Sequence, residues 1–256
     1  MIAFSSSRME NEIQIRECET LDELAECVQL QRDVFALPEV EISPVRHLIV
    51  TRSAGGFILG AYDGGRLAGF VLSVPAFLRG ERAFYSHMTG VRPEYQSHGI
   101  GSRLKWAQRS RSLAEGIRTI KWTFEPVKAR NAYFNLEKLG ATVVEYQPDF
   151  YGTDYATASL GGKKFGLASD RVFAEWDLED KKVRFLADGK IADERNGADA
   201  EIEIMDDWPG LVASDPAAAL DEQIRIRGEF QAALAGGLVA RGFRRGDRPA
   251  YLLYSD

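Results

Sequence analysis

The first regular pattern along the chain is Ile13-Gln14-Ile15-Arg16, which alternates apolar and polar with the period of a half-buried strand. Thr20 then stands as a helix N-cap with Glu23 at the capping-box position. Apolar residues at Leu21, Leu24, Ala25, Val28 and Val34 predict an amphipathic helix to about Phe35. Two apolar runs, Phe57 to Tyr62 and Arg66 to Val74, flank Asp63-Gly64-Gly65, the signature of a hairpin with a tight glycine turn. A strand over Phe84 to Val91, a helix over Ser102 to Leu113 and a strand over Thr119 to Phe124 follow. A helix over Ala129 to Leu139, closed by Gly140, leads into a strand over Ala141 to Tyr146. Beyond Gly152 the pattern loosens, through Gly161-Gly162-Lys163-Lys164. Phe173 to Leu178 and Glu201 to Met205 then alternate as strands, and Asp215-Pro216 opens a helix that ends near Gly236. Leu238 to Arg244 and Ala250 to Tyr254 make a closing hairpin. This order predicts an α/β (α+β) fold on a mixed, mostly antiparallel sheet. Residues 1–10, Ser-rich and without period, read as a disordered leader, 11–155 as a core and 156–256 as a C-terminal α/β extension.

Composition narrows the function classes. Of 256 residues, 45% are apolar, yet no stretch approaches the roughly 18 uninterrupted apolar residues of a membrane helix, and the start has no apolar run behind a basic one. A membrane protein and a secreted one are both disfavoured. Lys plus Arg number 32 against 38 Asp plus Glu, a net charge of -6, so a global basic field for nucleic acid is absent. Cys18 and Cys27 read as reduced, half-buried fillers in a cytoplasmic protein, and with three scattered histidines they make no metal set. A homodimer is left open.

The segment that carries chemistry is Val91-Arg92-Pro93-Glu94-Tyr95-Gln96-Ser97-His98-Gly99-Ile100-Gly101-Ser102-Arg103-Leu104. A strand ends, a loop with two glycines follows and a helix begins, so free amides at the helix N-terminus can converge on one anion. A dinucleotide fingerprint needs a third glycine where this chain has Leu104, and a P-loop needs Gly-Lys-Ser/Thr, also missing. A plain strand-to-helix turn stands as the alternative on these glycines alone.

Gln96, Gly99 and Gly101 resemble the acyl-CoA signature of the GNAT superfamily of N-acyltransferases, and the element order from Ile13 to Tyr146 resembles its fold. Trp122 to Pro126, Asn131 to Asn135 and Ser169 to Phe173 further resemble a poorly characterised, long-chain subgroup of predicted acetyltransferases. The resemblance implies that residues 11–155 form the acyl-CoA-binding core, splayed between its central strands. The loop amides of Gln96, Ser97, His98, Gly99, Ile100, Gly101 and Ser102 would hold the CoA pyrophosphate, aided by Arg92 and Arg103. The amide of Val91 would face the thioester oxygen, with Gly90 marking a strand bulge, and Asn131 would meet the pantetheine arm. A lone amine is largely protonated at neutral pH, so a base is expected. His87, four residues before Val91 and on the same strand face by period-two counting, is the leading candidate. Glu125, at the next strand's end, is the second. Where the family commonly has a tyrosine that protonates the leaving thiolate, this chain has Leu136; Tyr133 is the substitute candidate acid. Arginines on the Ser102 to Arg111 helix, with Lys105, read either as a basic strip for the 3′-phosphate or as a solvated face. The expected function is transfer of an acyl group, acetyl or a larger one such as succinyl, from acyl-CoA to a primary amine. A small-molecule acceptor such as an amino acid is expected, with no nucleic-acid or membrane partner and no metal. The alternative is a non-catalytic acyl-CoA-binding module.

Overall fold

The computed structural model describes residues 13–35, 37–152, 167–190 and 197–255, so the leader at 1–10 and the loosened stretch around Gly161 lie outside the described residues. The described residues fall into two compact units, the first ending at Ile120 and the second starting at Lys121.

The first unit places four strands in the order β1 (Ile13–Glu17), β2 (Phe57–Asp63), β3 (Arg66–Leu78) and β4 (Glu81–Val91), each neighbouring pair antiparallel. Three helices pack on them: α1 (Leu21–Phe35), α2 (Val45–Ser53) and α3 (Ile100–Ala114). α1 begins where its capping box closes. The Glu23 amide donates to Thr20 Oγ1 at 3.2 Å, and Glu23 Oε2 accepts from the amides of Thr20 and Glu19 at 2.9 and 2.7 Å. The buried stripe of α1 is Leu24, Cys27, Val28, Leu30 and Gln31, packed on Phe70, Leu72 and Tyr62, whereas Leu21, expected inside, is 65% exposed. Both cysteines are free and fully buried rather than half-buried. The turn at Gly64 has φ 58°, a conformation glycine adopts without a Cβ clash.

The second unit takes most of β5 (Thr119–Phe124) and sets it in the order β5, β7 (Arg171–Asp177), β6 (Thr142–Gln147), β9 (Leu238–Arg244), β10 (Ala250–Ser255), β8 (Ala200–Glu203). β7 therefore sits between β5 and β6 and pairs antiparallel with β6. A boundary at 155 falls outside the described residues, and pairing continues across it. The expected helix over 129–139 is a short α4 (Ala129–Tyr133) continued by a π-turn over Phe134–Lys138, with Gly140 (φ 75°) ending it. Three helices carry weaker signals and were not legible as helices in the sequence pattern: α2, α5 (Lys181–Ala187) and α6 (Trp208–Ser214). The long α7 (Pro216–Ala235) opens at Asp215, whose side chain accepts from the Ala218 amide at 3.0 Å. Among the described residues no helix is long and apolar enough to cross a membrane.

Candidate active site

The end of β4 is shaped by what packs on it. Gly90 pairs in register with Phe70, and a Cβ there would lie 2.9 Å from Leu30 Cδ2 of α1, so a side chain at this position would have to displace Leu30. The bulge expected at Gly90 lies three residues earlier. Leu72 opposes Met88 and Ser73 opposes Ser86, which leaves His87 as the extra residue of β4. The extra residue also resets the period of two, so His87 does not share the face of the Val91 side chain. Ser86 points to α3, where its Oγ accepts from Lys105 Nζ at 3.0 Å and donates to Gln108 Oε1 at 3.2 Å. His87 points the other way, where its ring meets His47 of α2 edge-on, centroids 6.1 Å apart.

Arg92 donates its amide to Ala68 O at 2.9 Å, so Arg92 and Ala68 form a hydrogen-bonded pair of the ladder. By the antiparallel alternation, Val91 belongs to a non-hydrogen-bonded pair, and its amide and carbonyl face away from β3. The carbonyl is taken by Gln96 Nε2 at 3.0 Å. The side chain of Gln96 thus clamps the loop to the strand end and leaves the Val91 N–H directed outward.

The loop itself is pinned at its start. Tyr95 is buried and donates to Asp63 Oδ2 at 2.8 Å, and Arg66 pairs with Glu94 at 2.6 Å. Ser97 and Gly99 have φ 65° and 75°, and α3 starts at Ile100 with Gly99 as its N-cap. This alternation turns successive amides to one side. Among the described residues no acceptor is paired with the amides of Ser97, His98, Gly99, Ile100, Gly101 and Ser102. A Cβ built on Gly99 would meet nothing within 4 Å, and one on Gly101 only Val91 Cγ2 at 3.9 Å, so the concave side is open to a ligand. Six amides and the positive end of a 15-residue helix suit a phosphate or pyrophosphate. His98 is half-buried, and its Nδ1 is a buried atom without a partner.

The two arginines expected to aid the pyrophosphate are both engaged within the fold. Arg92 donates to Leu67 O and pairs with Asp33 at 2.6 Å, and Arg103 donates to Ile13 O at 2.7 Å. Two members of the expected basic strip on α3 are otherwise engaged: Lys105 is buried, and Arg111 pairs with Glu17 and Glu115. The spacing of Leu104, Gln108 and Ser112, all buried, marks the inward face to which Lys105 is adjacent. Burial pushes the Lys105 ammonium down to about 7.

Residues 21–140 match the family model described as the acetyltransferase (GNAT) family. The chain carries a GNAT acetyltransferase domain. Its activity is accordingly that of an acyl-CoA-dependent N-acyltransferase. Solved structures of similar fold include the ribosomal-protein-S18-alanine N-acetyltransferase from Escherichia coli, 15% identical with TM-score 0.50 over 72% of this chain and 99% of that one. Others are the acetyl-CoA complex of yncA from Salmonella typhimurium (17%, TM-score 0.51, 66% and 96%) and a GNAT-family acetyltransferase from Streptococcus pneumoniae (18%, TM-score 0.50, 64% and 98%). No curated protein matches the sequence.

Within the second unit, the strand–turn–helix from β5 to α4 holds the other candidate residues of the GNAT domain. Glu125 is ion-paired with Lys128 at 2.6 Å. Asn131 is half-buried in α4, its amide bonded to Lys128 O. Tyr133 is half-buried with the Arg245 guanidinium 4.7 Å from its ring centre and Lys138 Nζ at 5.6 Å. Leu136 is completely buried, so the side chain at the usual acid position belongs to the core. Its neighbour Asn135 accepts from Trp122 Nε1 at 3.2 Å. Among the described residues no cluster of three or more His, Cys, Asp or Glu is placed to hold a metal ion.

His87 has accessible surface, yet enough protein surrounds it that desolvation, with a smaller contribution from the His47 charge, holds its pKa below the usual histidine value. An imidazole so placed is neutral at pH 7, the form that accepts a proton. Sequence reasoning missed His47 because the 45–53 segment lacks a strong amphipathic period. The signals that mark it are Pro44 at the N-cap and the buried pair Leu48 and Thr51, three apart.

Proposed function

We propose that this acyltransferase moves an acetyl group, or a larger one such as succinyl, from acyl-CoA to the primary amine of a small molecule such as an amino acid. The observation that carries the reading is the backbone around Val91: an outward-facing amide at the strand end, next to six unpaired amides at the start of α3. In this reading the amides of Ser97 to Ser102 take the pyrophosphate of the co-substrate. The Val91 N–H donates to the thioester oxygen as it becomes an oxyanion, a contribution of about 2.7–4 kcal/mol to the barrier. His87 accepts a proton from the ammonium, freeing the lone pair that forms the new C–N bond, and the nitrogen gives its second proton to water as the tetrahedral intermediate forms. Collapse of the tetrahedral intermediate breaks the C–S bond, and a thiolate with pKa near about 8.5 leaves without a dedicated acid. Buried Leu136 is compatible with that. The thiolate then regains a proton from the His87 imidazolium or from water.

Glu125 is a secondary base in this scheme, because its carboxylate is committed to Lys128. Tyr133, between two cations, and Asn131 keep the acid and pantetheine roles on resemblance alone. The net charge of -6 favours a cationic amine over nucleic acid as acceptor, and two buried free thiols fit a reducing compartment such as the cytoplasm. Thiol release from acetyl-CoA and succinyl-CoA across a panel of amino acids and polyamines tests the proposal. Turnover with one small amine is expected; turnover only with peptide N-termini would overturn the acceptor assignment.

A further inference from the structure

His47 has no part in the scheme above, yet its ring stands edge-on against that of His87. α2 is held to the sheet by Leu48 and Thr51, both buried, so the neighbouring His47 has little freedom to move away. The His47 ring stands perpendicular to that of His87, 85° between planes, with centroids 6.1 Å apart. Such an edge-to-face contact fixes the orientation of both rings. On the opposite side of β4, the Lys105–Ser86–Gln108 bonds hold the preceding residue inward, so the bulge cannot relax by turning His87 over.

We propose that His47 is a positioning residue for His87: its ring, set perpendicular at 6.1 Å, holds the imidazole edge-on. The inference rests on His87 as the base. Charged groups that could imitate the effect of His47 on the His87 pKa are few. From α2, His47 is the one titratable group whose charge acts on His87. β3 offers Leu72 and Ser73 opposite the bulge, and Lys105 of α3 lies on the other face of β4, bound to Ser86. Removing His47 therefore raises the His87 pKa, and the acidic limb of the kcat/KM profile moves to higher pH.

Imidazole NMR titration of the intact protein, alongside pH–rate profiles, tests this. In His47→Phe the His87 ring is expected to titrate at higher pH than in wild type, and the acidic limb to move with it. His47→Ala is expected to show the same displacement plus a three- to tenfold loss of kcat, most of which the aromatic edge of His47→Phe restores. A His87 titration unchanged in both variants overturns the pairing, and so does a shifted titration that the rate limb does not follow. Persistence of the acidic limb in His87→Ala would instead remove His87 as base, while the NMR titration would still report whether the two rings are coupled.

Discussion

Two strand-to-helix connections in this chain differ in what they leave available. From β4 to α3, the Val91 amide faces away from β3, and among the described residues six amides of the turn lack acceptors. From β5 to α4, the groups are committed. Glu125 is paired with Lys128, Asn135 with Trp122, and Leu136 fills the core. In the proposed scheme, recognition of the acyl donor would reside in main-chain geometry on the first connection, while on the second Leu136 belongs to the core.

Gly99→Val should separate the two connections most sharply. Gly99 sits at φ 75°, where a β-branched residue is strained, and its side chain would project into the open concave side. Calorimetric titration is expected to show CoA affinity falling at least about 100-fold, roughly 2.7 kcal/mol. Retained affinity would mean that the loop is not the donor site. Next comes Lys105→Met, which tests how firmly the first connection is supported. The buried ammonium has its pKa lowered to about 7 in the folded chain, against 10.5 unfolded. Below pH 7 both states carry the proton and the penalty of burial is fully present. Between pH 7 and 10.5 the unfolded chain binds more protons, so stability rises with pH by up to about 1.4 kcal/mol per unit. Chemical denaturation should show that rise in wild type and its loss in Lys105→Met.

The second connection answers to smaller changes. Leu136→Tyr places a larger, polar-tipped side chain in a filled core, and thermal unfolding should report a cost of about 1–3 kcal/mol with no gain in turnover. A faster enzyme would show that the acid position is functional after all. Smallest of all is Glu125→Gln: with His87 as the base, initial rates should fall less than about threefold, and a loss beyond tenfold would move the base to Glu125.

How much of this was legible in the sequence follows the same division. The capping box at Thr20 and Glu23, the turn at Gly64 and the glycines of the loop are local signals, each fixing backbone geometry within a few residues, and the structure contains them where the pattern placed them. The bulge at His87 was not legible, because it depends on how β3 and β4 register over a dozen residues, and glycine at position 90 reflects α1 packing instead. Lys105 reads from the sequence as part of a 3′-phosphate strip or a solvated face, since charge alone does not reveal that Ser86 Oγ accepts its ammonium inside. The placement of β7 between β5 and β6 is a long-range pairing across the undescribed stretch, which no local period encodes.

The most direct test is a titration of the isotope-labelled protein with acetyl-CoA, observed at the backbone amides. The amides of Ser97 to Ser102 and of Val91 are expected to shift together and to gain protection from exchange on binding. Binding that moves other amides and leaves these seven unchanged would contradict the account.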